Sequence, residues 1–229
     1  MIAMDMRSPV TLLAILSGAC WMVVYIEGIR VSFRDRAFAI PFWAISLNFA
    51  WEVLHTGLGW RVEGASLQIV INAIWALLDL VILYTWFRFG RMEFRRKWNQ
   101  AWFMPWSILV LGVSFLLQHL FVIEFGLYPG RAYAAFLQNL VMSVLFIGML
   151  VDRGSNEGQS LLIAVAKWIG TLAPTIVFGF IGGYGIAGPN RFLLMIGLLC
   201  SLFDLIYIGL LAGVAPQGRQ LAGHRSELR

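Results

Sequence analysis

The chain has 229 residues, of which 60% are apolar and 13% charged, where soluble chains run near about 45–50% apolar and 25% charged. That excludes an ordinary soluble protein, and the even spread of apolar residues, including 17 Phe, 10 Trp and 6 Tyr, also excludes disordered, coiled-coil and solenoid chains. The net charge of +5 comes from basic residues in short gaps between apolar runs, with no surface of interleaved Lys and aromatics to follow a phosphate backbone, so no nucleic acid is expected as a partner.

A membrane crossing needs about 20 mostly apolar residues. The sequence predicts seven: Pro9–Glu27, Phe38–Leu58, Ser66–Phe89, Trp102–Val122, Ala132–Asp152, Gln159–Gly182 and Arg191–Gly213. Backbone polar groups in lipid must be satisfied within their own segment, so all seven are helices. The fold class is therefore an all-α, multi-pass integral membrane protein built as a seven-transmembrane-helix bundle. In the first span Ser17-Gly18-Ala19-Cys20 resembles a lipoprotein cleavage site, but Ser17 stands where such sites carry Leu and the apolar run continues past Cys20; the helix is expected to stay. Cys20 and Cys200 both lie in apolar segments and form neither a disulfide framework nor a CxxC pair.

The basic residues sort between the two sides. Arg30, Arg34, Arg36, Arg88, Arg91, Arg95, Arg96, Lys97, Arg153, Arg219, Arg225 and Arg229 fall on one side, against Arg7, Arg61, Arg131 and Arg191 on the other. The positive-inside rule puts the richer side in the cytoplasm, with the N-terminus outside and the C-terminus inside. Residues 1–215 form one transmembrane domain, and the polar stretch 216–229 is expected to be a disordered cytoplasmic tail. Lys167 falls within the sixth span, where it either snorkels or marks a helix that begins later. Trp98, Trp102 and Trp106 suit an interfacial belt, and Arg91, Arg95, Arg96 and Lys97 suit either a topogenic loop or membrane lipid.

With loops this short, chemistry must happen among the helices. Three carboxylates lie well inside spans: Glu52 in the second, Asp79 in the third and Asp204 in the seventh. An acid at a span centre costs about 2.5–3.5 kcal/mol even on lenient scales, so such residues normally face a functional cavity. Helical spacing puts Asn48, Glu52 and His55 on one stripe, Trp75 and Asn72 with Asp79, and Ser201 and Tyr207 with Asp204. Gln118, His119, Gln138 and Asn139 add polar groups in the outer halves of the fourth and fifth spans. At the helical rise, the acids bracket a pocket about 10 Å tall. Desolvation disfavours the charged form of a carboxyl group, so an acid in such a pocket is a proton donor. If the substrate is an alkene or epoxide, the surrounding aromatic faces can stabilise the resulting carbocation.

At Asn48-x-x-Trp51-Glu52 in the second helix, paired with Asp204-x-x-Tyr207 in the seventh, the chain resembles the integral-membrane terpene cyclases. These act in fungal meroterpenoid and indole-diterpene pathways, with shorter bacterial relatives that cyclise prenylated indole alkaloids. The resemblance spans nearly the whole chain. It implies that the second-helix acid, Glu52, and the last-helix acid, Asp204, protonate the terminal epoxide or alkene of a prenyl chain on a small-molecule substrate. Asp79 joins them in the same pocket, or serves instead as a structural partner for a helix cap or Lys167. The residues expected to bind the substrate, from the helix faces read above, are Asn48, Trp51, His55, Trp75, Gln118, Gln138, Asn139 and Tyr207. The implied reaction is a non-redox cyclisation with no cofactor and no metal, and neither DxDD nor DDxxD occurs in the sequence.

Blander readings stand beside these. Each acid can serve as an interhelical hydrogen-bonding group, and His55 and His119 as packing histidines. Glu52-x-x-His55 matches half of a di-iron bundle motif whose second half is missing. The rival function is a small proton-coupled transporter. A weak echo between Leu77–Val81 and Leu202–Ile206, with Pro174, Gly179, Gly182 and Gly183 as a broken sixth span, would serve it.

Overall fold

A computed structural model describes residues 8–64, 67–186 and 188–214. The expected tail, 216–229, lies outside the described residues, as do Arg7, Ser66, Arg219, Arg225 and Arg229. The described chain is a bundle of helices running alternately up and down: α1 (Pro9–Asp35), α2 (Phe42–Glu63), α3 (Leu67–Thr85), α4 (Arg91–Lys97), α5 (Phe103–Phe125), α6 (Leu127–Arg153), α7 (Leu161–Ile176) and α8 (Arg191–Gly213). Helix α4 continues α3 through a π turn, Trp86–Gly90.

Among the described residues, six helical segments are long and apolar enough to cross a membrane. The helix outside that set is α2. Its 22 residues span about 33 Å, so length is not the reason; Asn48, Glu52, His55, Thr56 and Arg61 lower its apolarity. This helix packs against α3, α5 and α6, which keep much of its polar face from lipid. The other long contacts are α1 with α3 and α7, α5 with α6, and α8 with α6 and α7.

Several helix ends follow from local chemistry. Pro9 opens α1, where its missing N–H costs nothing. The Ser160 and Asn190 side chains accept from Leu162 N and Leu193 N and so cap α7 and α8. Helix α1 runs past the expected end at Glu27 to Asp35, because Glu27 is held by Arg30 at 2.6 Å and Ser160 at 3.0 Å. The last turns, with buried Val31 and Ser32, pack on protein.

Two features of the sixth span differ from expectation. Lys167 neither snorkels nor precedes the helix. It is buried six residues after α7 begins, because an ion pair with Asp204 on α8 replaces the water it would otherwise seek. Pro174 does not break the helix at its own position. Proline removes the hydrogen bond to the carbonyl four residues back, which is Gly170 O, and Ser17 Oγ of α1 donates to that oxygen at 2.7 Å. The helix then widens into a second π turn, Val177–Ile181.

At the arginine-rich end, aromatic rings lock α2, α3 and α5 together. The Trp86 ring lies 4.3 Å from Phe42 and 5.3 Å from Phe103, both stacked. Its indole N–H donates to Ser107 Oγ at 3.0 Å.

Candidate active site

A cavity of about 240 Å³ opens among α1, α2, α3, α6 and α7. Glu52 reaches it from the middle of α2, about 15 Å along the helix from Phe42. The side chain is buried, and its Oε2 has no hydrogen-bond partner among the described residues. Aromatic residues from several helices form much of the wall, including Trp21, Tyr25, Trp51, Trp75 and Phe178. Arg131 also lines the cavity, and its backbone carbonyl accepts from Trp51 Nε1 at 3.0 Å.

One amide chain fixes the polar side of this cavity. Gln118 Nε2 donates to Gln138 Oε1 at 2.7 Å and to Leu47 O at 3.3 Å. Gln138 Nε2 donates to Asn48 Oδ1 at 3.1 Å, which turns the Asn48 amide nitrogen away from Gln138. That nitrogen donates to Tyr25 Oη at 2.6 Å and to the Asp79 carboxylate at 3.0 and 3.3 Å. Tyr25 and Asp79 thus share the Asn48 amide nitrogen, and Tyr25 stacks on Trp75, with ring centroids 6.4 Å apart. Asp79 therefore lies behind Asn48 and Tyr25 rather than at the cavity surface.

A second chain runs on the α6, α7 and α8 side. Asn139 lines the cavity and donates to Thr171 Oγ1 at 2.6 Å. Its carbonyl accepts from Ser143 Oγ at 2.9 Å, and Ser143 Oγ accepts from Lys167 Nζ at 2.7 Å. Lys167 Nζ also donates to both Asp204 oxygens, at 2.8 and 3.0 Å.

Of the site residues read from sequence, Glu52, Asn48, Trp51, Trp75, Gln138 and Asn139 line the cavity. Asp79, Gln118, His55, Asp204 and Tyr207 do not. Asp79 and Gln118 belong to the amide chain. His55 is buried against the Trp51 ring, 4.9 Å between centroids, with no hydrogen-bond partner for either ring nitrogen among the described residues. Asp204 is ion-paired, and Tyr207 donates to Gln159 Oε1 at 2.9 Å. His119 is exposed, and Ser107 and Ser114 hydrogen-bond to carbonyls of their own helix.

Sequence reasoning missed Tyr25, Trp21 and Thr171 in the site. Their helices carry no acid at mid-span to draw attention, although Ser17, Trp21 and Tyr25 share one face at spacings of four. Among the described residues, no group of three His, Cys, Asp or Glu side chains is placed to hold a metal ion.

The arrangement joins a buried carboxyl group to aromatic walls and a fixed amide network, a combination suited to protonating an apolar substrate and holding a cation. A family model described as Pyr4-like transmembrane terpene cyclases matches residues 4–214. The Pyr4-family terpene cyclase mfmH of Annulohypoxylon moriforme is 27% identical over 168 residues, 72% of this chain and 68% of that protein. Terpene cyclase pyr4 of Aspergillus fumigatus is 24% identical over 222 residues, 92% and 86% of the two chains. Terpene cyclase olcD of Penicillium canescens is 31% identical over 166 residues, 72% and 66% respectively. No solved structure matches the chain.

Proposed function

The chain belongs to the Pyr4-like transmembrane terpene cyclases, and from that membership we propose that its cavity binds a prenylated small molecule, such as a meroterpenoid or indole-alkaloid precursor, and cyclises the prenyl chain after protonation by Glu52. The observation that carries this reading is the buried Glu52 carboxyl group, with one oxygen unpartnered at the wall of an aromatic cavity.

Glu52 gives its proton to the terminal alkene carbon, leaving a tertiary cation. With an epoxide it protonates the ring oxygen, and the C–O bond opens to a hydroxyl group and the same kind of cation. An internal double bond of the chain attacks, and each new C–C bond passes the charge along. The faces of Trp21, Trp51, Trp75 and Tyr25 surround the cation and stabilise it through their quadrupoles. The last cation loses a proton to Tyr25 Oη, while the Tyr25 hydroxyl proton passes to Asp79. Exchange with water as product leaves restores the acid form of Glu52 and the carboxylate of Asp79, so the net reaction is an isomerisation.

Asp204 has a positioning part in this scheme, one layer behind the wall. With Lys167 it forms a fixed charge pair that positions Asn139 through Ser143. Gln118 and Gln138 orient Asn48, and His55 supports the Trp51 ring. The bundle, residues 1–215, makes seven passes with α2 counted among them, the Pro9 end of α1 outside and the arginine-rich end in the cytoplasm.

The test is to incubate the purified protein in detergent, without metal or nucleotide, with farnesylated and geranylgeranylated phenols and indoles and their terminal epoxides. A product of unchanged mass and altered retention, formed by the wild type and lost in Glu52→Gln, is the expected result. No conversion across the panel, together with proton-dependent solute uptake by proteoliposomes, would replace the cyclase reading with the transporter.

A further inference from the structure

Four of the basic side chains described at the arginine-rich end are matched to acids. Arg30 is held by Glu27, Arg34 by Asp35, Lys97 by Asp152 and Arg153 by Glu93. Four are not. Arg36, Arg88, Arg91 and Arg95 line one concave site of about 710 Å³, and none of the four makes an ion pair with a carboxylate among the described residues.

Two unusual pieces of backbone bring these arginines together. Arg88 lies in the π turn Trp86–Gly90, a helix form that recurs at functional sites. The turn leads directly into α4, and Arg88, Arg91 and Arg95 follow at spacings of three and four, along one face. Arg36 meets them from the end of α1 with φ 54° and ψ 38°, a left-handed conformation that is costly for a residue with a Cβ. A topogenic role requires basic residues in the loop. It does not require four arginines to line one concavity, with Arg88 stacked over Phe89 at 5.5 Å and Arg91 over Phe103 at 5.2 Å, where the gathered positive charge favours an anion.

The walls identify the kind of anion. Phe33, Phe89, Met92 and Gln100 complete the site, and Phe33 lies edge-on to Phe89 at 5.9 Å and stacked with Tyr84 at 6.4 Å. From there exposed apolar side chains continue along α3 through Val81, Leu80 and Leu77 and along α1 through Ile26. The strip belongs to two helices apolar enough to cross a membrane, so acyl chains cover it and the arginines at its end lie where lipid headgroups lie. We propose that this site, between α1 and the α3–α4 junction, binds the phosphate headgroup of an anionic glycerophospholipid, with an acyl chain along the exposed strip. Basic pockets between helix ends hold such headgroups, and the inference is independent of the cyclase reading.

The experiment uses the full chain in detergent with phosphatidic acid or phosphatidylcholine as probes, and bound lipid is counted by native mass spectrometry. The wild type is expected to retain phosphatidic acid in preference to phosphatidylcholine. Removing one site arginine, by Arg88→Gln or separately Arg95→Gln, should weaken phosphatidic acid binding about fivefold. Arg96→Gln removes the same charge from the same segment but outside the cavity, and should leave binding unchanged. Equal weakening by Arg96→Gln, or equal retention of phosphatidylcholine, would overturn the site. Displacement of phosphatidic acid by an equal concentration of inorganic diphosphate would overturn its assignment to lipid.

Discussion

Lys167 Nζ stands 2.8 Å from Asp204 Oδ1, with both side chains sealed inside the bundle. Taking two charges out of water is costly, and only their close contact and the further hydrogen bond to Ser143 offset that cost. Removing one partner leaves the other buried and unmatched. Lys167→Met alone, and Asp204→Leu alone, should each destabilise the protein by about 3–5 kcal/mol. The double variant should recover most of that loss, because apolar replacement of a whole buried pair is often neutral. Thermal unfolding of the three variants in detergent checks this. A double variant as unstable as the singles would mean that the two residues act separately.

Much of the bundle was legible from apolar run lengths. The seventh span, Arg191–Gly213, has the observed bounds of α8, because its cap, Asn190, directly precedes a long run in which Asp204 is the one charge after Arg191. The end of α1 was not legible, since Glu27 and Arg30 look like the start of a loop until Ser160 and each other satisfy them. In the site, Glu52, Asn48 and Trp51 were readable because one helix carries them and spacing gives the shared face. The Lys167–Asp204 contact joins α7 and α8, residues 37 apart in sequence, and local periodicity says nothing about which helices touch. The same limit hid Tyr25, whose part depends on Asn48 and Asp79 of two other helices.

Glu52→Gln keeps the size of the side chain and removes the acid. General acid catalysis contributes about 10²–10⁴-fold, so turnover should fall by that much while the variant elutes from size exclusion like the wild type. Because one Glu52 oxygen already lacks a partner, the substitution leaves the amide chain through Asn48 intact. Turnover within threefold of the wild type would remove Glu52 from the initiating step, a decision set against the same range.

Tyr25→Phe separates the end of the reaction from its beginning. The ring stays to stack on Trp75 and line the cavity, and Glu52 is untouched, so substrate should still be consumed. What is lost is the route from the last cation to Asp79. The product mixture should shift from one alkene towards isomeric alkenes and water-trapped alcohols, read by mass spectrometry as a new species 18 mass units above the substrate, on the order of one water for each trapped cation. An unchanged product ratio would mean that another group takes the terminating proton.

The cavity volume sets what can be folded inside it. Ala135 lies on its wall from α6, beside Ala132 and Phe136, and a ring at that position would take up space where the prenyl chain must coil. Each methylene in an apolar pocket is worth about 1–3 kcal/mol of discrimination, so excluding one five-carbon unit is ample to reverse a preference. Ala135→Phe should therefore lower turnover of the longest prenyl chain that the wild type accepts by about tenfold or more, with little change for a chain one unit shorter. Competition between the two substrates in one reaction reads the ratio directly and is insensitive to the fraction of active protein. A parallel fall for both chains would show that the added ring disturbs helix packing, and that the length of chain accepted is set elsewhere in the cavity.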